Sequence, residues 1–246
     1  QVGSRLLDLM RAHEVSPSPL VQNRFLRAWE NQLPETVLQH FLKMRSDGTI
    51  LSKWAYRYIV VAHERSDPAF ALKVYDEMEG SGIKTDTAAY NAVLGACFQL
   101  GMFEEAQQMF MQMADRALQP NEKSYGIMIK VYVFKHEFEE ALALFEKMRD
   151  QGLKPDCFAY SNAIRCCIVL QRIQYAVELY HSMVQANMTP CIGTYKSLGT
   201  ACRKFGWKVL ADQISSDFRR TKGSGVQDGT WVHPRTMAPK CRIVRA

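Results

Sequence analysis

The segment FEEAQQMFMQM at residues 103–113 returns as FEEALALFEKM at residues 138–148, shifted by 35 positions. The interval continues along the chain. Met10, Met44, Met78, Met113, Met148 and Met183 close successive copies, with Phe218 in the next slot, at spacings of 34, 34, 35, 35, 35 and 35. A small residue stands seven before the marker at Ala71, Ala106, Ala141, Ala176 and Ala211. An aromatic stands three before it at Phe41, Tyr75, Phe110, Phe145 and Tyr180, and a tyrosine opens an earlier segment at Tyr90, Tyr125, Tyr160 and Tyr195. A fixed period of this length describes a tandem array. Each unit is too small to bury its own apolar side and must lean on its neighbours.

Within a unit the pattern predicts two helices. In DTAAYNAVLGACFQLG (86–101), Tyr90, Val93, Leu94 and Cys97 fall on one helical face. In the following stretch, Phe103, Ala106, Phe110 and Met113 share a face, and Glu104, Glu105, Gln107 and Gln108 point away. Gly101 suits the break between the helices, and the prolines of LQPN and GLKPD close the unit. Asp86, Asn121 and Asp156 then stand where a side chain caps the next helix. No segment shows sustained alternation of period two, so the expected fold is all-α, a solenoid of helical hairpins.

Charge and cysteine content narrow the function. Residues 203–246 hold ten Lys or Arg against three Asp, which leaves residues 1–202 near −1 of the overall +6. Seven cysteines is an odd number, better suited to reduced thiols in an intracellular compartment than to a disulfide scaffold. Cys97, Cys167 and Cys202 share one slot of their units on the expected buried side, and the six histidines are scattered, so no metal site is expected. The pairs Glu104/Glu105 and Glu139/Glu140 recur at one outward slot and mark a solvated face. No phosphate-binding glycine loop or nucleophile–base arrangement is present, and the chain is expected to be non-catalytic and without a cofactor. No apolar run approaches the 18 residues of a membrane span.

A 35-residue hairpin with an opening Tyr, Ala and Phe/Tyr in its second helix, and a Met…Gly…Pro-Asp ending resembles the pentatricopeptide repeat. YGIMIKVYVFKHEFEEALALFEKMRDQGLKPD (125–156) is similar over a whole unit, and its ending separates it from the 34-residue tetratricopeptide repeat. The resemblance implies a right-handed α-solenoid. Residues 1–17 would be the second helix of an incomplete repeat. Hairpins would follow at 18–51, 52–86, 87–121, 122–156, 157–191 and 192–220, with a basic extended tail at 221–246.

The resemblance also implies binding of single-stranded RNA, about one base per repeat. The residue after the opening tyrosine and the last residue of the unit would read the base edge, and the residue two before the tyrosine would pack on its face. These slots hold Asn91 with Asn121, Gly126 with Asp156, Ser161 with Cys191, and Tyr56 with Asp86; the packing slots hold Ala88, Lys123, Phe158 and Gly193. Lys130, Arg165, Arg203 and Lys204 are the first-helix cations available to a backbone, and Arg219, Arg220, Lys222, Trp231, Arg235, Lys240, Arg242 and Arg245 supply the tail. Two functions fit. One is an RNA-binding factor of organellar gene expression, in a mitochondrion or a plastid. The other is a structural subunit of a mitochondrial or plastid ribosome or a similar ribonucleoprotein, docking proteins and folded rRNA, with the tail on nucleic acid.

Overall fold

Helix ends recur at the same interval as the methionines. The backbone turns left-handed at Gly82, Ala117, Gly152 and Asn187, and again at Gly101, His136, Gln171 and Gly206, each series stepping by 35. The residue after each left-handed position donates its N–H to a carbonyl five positions back. In the first series Ile83, Leu118, Leu153 and Met188 bond to Met78, Met113, Met148 and Met183. In the second, Met102, Glu137, Arg172 and Trp207 bond to Cys97, Tyr132, Cys167 and Cys202. This closure absorbs carbonyls that a helix end would otherwise leave unpaired. Four of these eight left-handed residues among the described residues are not glycine, so the sequence marks only half of these stops.

The computed structural model describes residues 34–46 and 51–223, together with Ser18, Val21 and Arg24. Its helices are α1 (Pro34–Ser46), α2 (Lys53–His63), α3 (Pro68–Gly80), α4 (Thr87–Leu100), α5 (Phe103–Asp115), α6 (Glu122–Phe134), α7 (Phe138–Asp150), α8 (Cys157–Val169), α9 (Ile173–Gln185), α10 (Ile192–Lys204) and α11 (Lys208–Gly223). The described residues contain no strand. The expected helix at 1–17, most of unit 18–51, and residues 224–246 lie outside the described residues. α11 runs three residues past the expected boundary at 220. None of these helices is long and apolar enough to cross a membrane. The chain divides into two compact units, Gln1–Val131 and Tyr132–Ala246, with the division inside α6.

Side-chain caps start four of the five first helices from α2 to α10. Ser52 accepts from Ala55 N, Asp86 from Ala89 N at 2.9 Å, and Asp156 from Ala159 N at 2.7 Å. Asn121 and Ser124 cap reciprocally: Asn121 Oδ1 accepts from Ser124 N, and Ser124 Oγ accepts from Asn121 N, each at 3.1 Å. Cys191 occupies the equivalent place without a capping bond. Asp67, followed by Pro68 at the first helical position, caps α3 by accepting from Phe70 N.

One aromatic contact joins each repeat to the next. The second-helix aromatic meets the opening tyrosine 15 residues on, edge to face, in Phe41–Tyr56, Tyr75–Tyr90, Phe110–Tyr125, Phe145–Tyr160 and Tyr180–Tyr195. Ring centroids lie 5.3–6.2 Å apart. Such pairs contribute about 0.5–1.5 kcal/mol beyond the area they bury. Around them Ala71, Ala106, Ala141, Ala176 and Ala211 are fully buried, as are the marker methionines from Met78 to Met183.

The first helices are buried more completely than one face requires. In α4 every residue from Ala89 to Cys97 is buried, not only the expected Tyr90, Val93, Leu94 and Cys97. α4 packs against α2, α3 and α5, so three directions are covered at once. α8 likewise touches α7, α9 and α10. The second helices keep an amphipathic pattern, with Glu104, Glu105, Glu139 and Glu140 exposed.

Two stability tests follow from these contacts. Phe145→Ala, at a fully buried ring, should cost about 3–5 kcal/mol in urea unfolding, while Phe158→Ala, at an exposed one, should cost about 0.5 kcal/mol or less. Gln171→Gly removes a side chain from a left-handed position and should raise stability by about 0.5–1 kcal/mol.

Candidate nucleic-acid interface

The slot that ends each unit and the slot after the opening tyrosine come together where the first helices begin. Asn91 Nδ2 donates to Asn121 Oδ1 at 2.9 Å, and Ser124 Oγ donates to Asn91 Oδ1 at 2.6 Å. Asn91 is only 1% exposed, so this amide is buried and engaged at both ends. Asn121 is half-buried and holds the cap of α6 with the same oxygen. The structure therefore joins the amide pair expected from the sequence, and turns it inward.

The other slots differ from one another. Gly126 faces open space, since an added Cβ would meet nothing within 4 Å. Asp156 is exposed and caps α8. Ser161 Oγ donates back to Cys157 O at 2.8 Å, and Cys191 Sγ lies 3.2 Å from Thr194 Oγ1, so each is engaged within its own helix start. Phe158 is 43% exposed on the first turn of α8. Lys123 pairs with Glu64 at 2.8 Å. Lys130 and Arg165 are half-buried, and Lys204 is exposed. Arg203 Nη2 donates to Ser215 Oγ at 3.0 Å, which ties it to α11. Arg219 Nε donates to Ser215 O, and Arg220 lines a cavity of about 370 Å³ with Tyr180, Tyr195 and Asp217. Lys222 falls on the last turn of α11 with its side chain outside the described residues, as are Trp231, Arg235, Lys240, Arg242 and Arg245.

The structure corrects the register of the repeat at 52–86. Counting 35 back from Asn91 lands on Tyr56, and the sequence places that residue in a reading slot. In the structure Tyr56 is an opening tyrosine: it is buried, its ring packs on Phe41, and its hydroxyl donates to Glu77 Oε1 at 3.4 Å. The α2–α3 hairpin is one residue shorter than its successors, 22 residues from Tyr56 to Met78 against 23 from Tyr90 to Met113. The position after the opening tyrosine is therefore Arg57 and the position two before it is Trp54, neither of which the sequence pattern singled out. The 12-residue step from Met44 to Tyr56, repeated from Met78 to Tyr90, is the signal that finds them.

Trp54 and Arg57 form a cluster at the start of α2. Trp54 is 40% exposed. Lys53 Nζ lies 4.8 Å and Arg57 Cζ 4.9 Å from its ring centre, and Arg57 Cζ is also 4.9 Å from the Tyr58 ring. Arg57 Nη1 pairs with Asp86 Oδ2 at 3.4 Å, the counterpart of Asn91 with Asn121, while Arg57 Nε is buried without a partner. Trp54 and Phe158 thus occupy equivalent positions as exposed rings on first-helix N-terminal turns.

Cys97, Cys166 and Cys167 lie deep in the packing between helices. Burial pushes the Cys97 and Cys167 thiols up to about 11 and the Cys166 thiol to about 12, far from the thiolate form that attacks electrophiles or binds metal. Among the described residues no group of three or more His, Cys, Asp or Glu is arranged to hold a metal ion.

Residues 43–214 match the family model described as the pentacotripeptide-repeat region of PRORP. A chloroplastic pentatricopeptide repeat-containing protein of Arabidopsis thaliana is 32% identical over 91 residues, covering 36% of this chain and 12% of the relative. The Arabidopsis thaliana small ribosomal subunit protein mL103 (rPPR7) is 25% identical over 87 residues, 35% of this chain and 21% of that protein. The chain therefore spans a small part of the length of these relatives. Among solved structures, the PPR domain of Arabidopsis thaliana protein-only RNase P 1, in complex with tRNA, superposes with a TM-score of 0.53 at 21% identity, over 83% of this chain and 96% of that domain. The likeness is one of fold: an all-α solenoid of helical hairpins. With the family model covering most of the described residues, the chain belongs to the pentatricopeptide-repeat family.

Proposed function

We propose that this protein binds single-stranded RNA along the N-terminal turns of its first helices, as a non-catalytic component of organellar gene expression. The observation that carries the reading is the pair of equivalent exposed rings, Trp54 and Phe158. An exposed ring on a rigid helix start costs apolar exposure and suits stacking of an unpaired base, which every base permits through its π face. Beside Trp54, the exposed Lys53 and the half-buried Arg57 bring positive charge within 4.9 Å of the ring centre, where an RNA backbone would pass. The tRNA complex of the RNase P 1 domain and the chloroplastic relative support RNA and an organelle as the setting.

Three observations favour a second reading, a structural subunit of an organellar ribosome or similar ribonucleoprotein. Residues 1–202 are close to neutral, Asn91 of the amide pair is buried, and one relative is a ribosomal subunit protein. Fractionation of native complexes from an organelle lysate, with and without ribonuclease, separates the two. Co-migration with ribosomal subunits at high salt supports the structural role, and a small ribonuclease-sensitive particle supports a free factor.

The stacking reading has its own test. Trp54→Ala and Phe158→Ala should each weaken binding of a fluorescent single-stranded RNA, read by anisotropy, by about 1–3 kcal/mol, with unfolding midpoints close to wild type. If both variants bind as the parent does, the first-helix turns are not the RNA surface.

A further inference from the structure

Glu64, just beyond α2, is held by groups from the next two repeats. Its backbone carbonyl accepts from Gln99 Nε2 at 2.8 Å. Its carboxylate lies over Gly95 in the middle of α4, where an added Cβ would come within 2.9 Å of Glu64 Cδ and closer still to Oε1. Oε2 then reaches Lys123 Nζ at 2.8 Å on the first turn of α6. Glycine in a helix interior is unfavourable by itself, and here the carboxylate occupies the space that the missing side chain leaves. The side chain of Glu64 is 13% exposed and that of Lys123 is 50% exposed, so one end of the bridge is set into the protein and the other faces solvent.

The position of the bridge gives it consequence. Gly95 lies one turn beyond Asn91 on the same face of α4, and Lys123 lies two residues beyond Asn121. Lys123 also stands in the slot where Trp54 and Phe158 are exposed in other repeats. At this repeat the slot offers a cation, and the cation already has a carboxylate.

We propose that Glu64 withholds Lys123 from RNA: reaching across Gly95, its carboxylate is a built-in competitor that a phosphate must displace before the RNA backbone engages this repeat. The inference rests on the RNA-binding reading above. Glu64 acts through Lys123 and is a positioning residue. It sets which repeats grip the backbone, whereas the aromatic slots set where bases stack.

The test is the salt dependence of binding to a fluorescein-labelled mixed-sequence RNA of about 12 nucleotides. Releasing one cation to one phosphate should steepen the slope of log K against log salt by about 0.7 and raise affinity several-fold at low salt. Glu64→Gln should do this, and so should Gly95→Ala, which expels the carboxylate without changing any charge. Adding Lys123→Ala to Glu64→Gln should abolish the gain. Glu122→Gln, which removes an exposed charge beside Lys123, should leave the slope alone. A Glu64→Gln slope equal to the parent's overturns the proposal while leaving RNA binding intact. An equal gain from Glu122→Gln reduces it to a general charge effect and also overturns it. Absence of binding by parent and variants alike, with normal melting curves, removes the RNA reading and this inference together.

Discussion

The edge-to-face contact between a second-helix aromatic and the next repeat's opening tyrosine is the interaction on which the arrangement depends. It recurs five times among the described residues, always 15 positions apart, with interplanar angles of 71–80°. Its geometry is directional in a way that aliphatic packing is not, because the ring edge must meet the ring face. It therefore fixes the rotation of each first helix about its own axis. Once the opening tyrosine is turned inward, the residue after it and the residue two before it have their directions assigned.

That constraint explains why the candidate interface varies while the scaffold does not. The slot after the tyrosine holds Arg57, Asn91, Gly126 and Ser161, ranging from a long cation to no side chain at all. None of these changes disturbs the ring contact beside it. The slot that ends each unit is more restricted where it also caps a helix: Ser52, Asp86, Asn121 and Asp156 carry an oxygen that accepts from the first turn, while Cys191 fills the same slot with no capping bond. One position thus serves helix initiation and faces the next slot, so its chemistry is a compromise. Asn121 shows this most clearly, with a single oxygen accepting from both the Ser124 backbone and the Asn91 amide.

The helix ends show a similar economy. All eight left-handed positions use the same closing bond, yet Ala117, His136, Gln171 and Asn187 take a conformation that glycine adopts with less strain. The hydrogen bonds and packing of the whole hairpin outweigh the local preference of one residue. A breaker-residue pattern therefore finds Gly82, Gly101, Gly152 and Gly206 and passes over the other four stops.

The sequence by itself determined the repeat, the two helices per unit, the buried Ala and Met positions, the outward glutamates and the caps. These follow from spacing along the chain, and a helix converts spacing directly into direction. The pairing of Asn91 with Asn121 came from the resemblance to the repeat family rather than from spacing alone, and the two side chains do meet. Only the tertiary structure decided that Asn91 is sealed inside, that Tyr56 belongs with the ring contacts while Trp54 and Arg57 take the exposed slots, and that Lys123 is bound by a carboxylate 59 residues away. The physical reason is the same in each case. Exposure depends on how many neighbours press on a helix, a one-residue shortening is absorbed in a turn without altering the periodic marks around it, and an ion pair between repeats depends on distance through space, which no interval along the chain records.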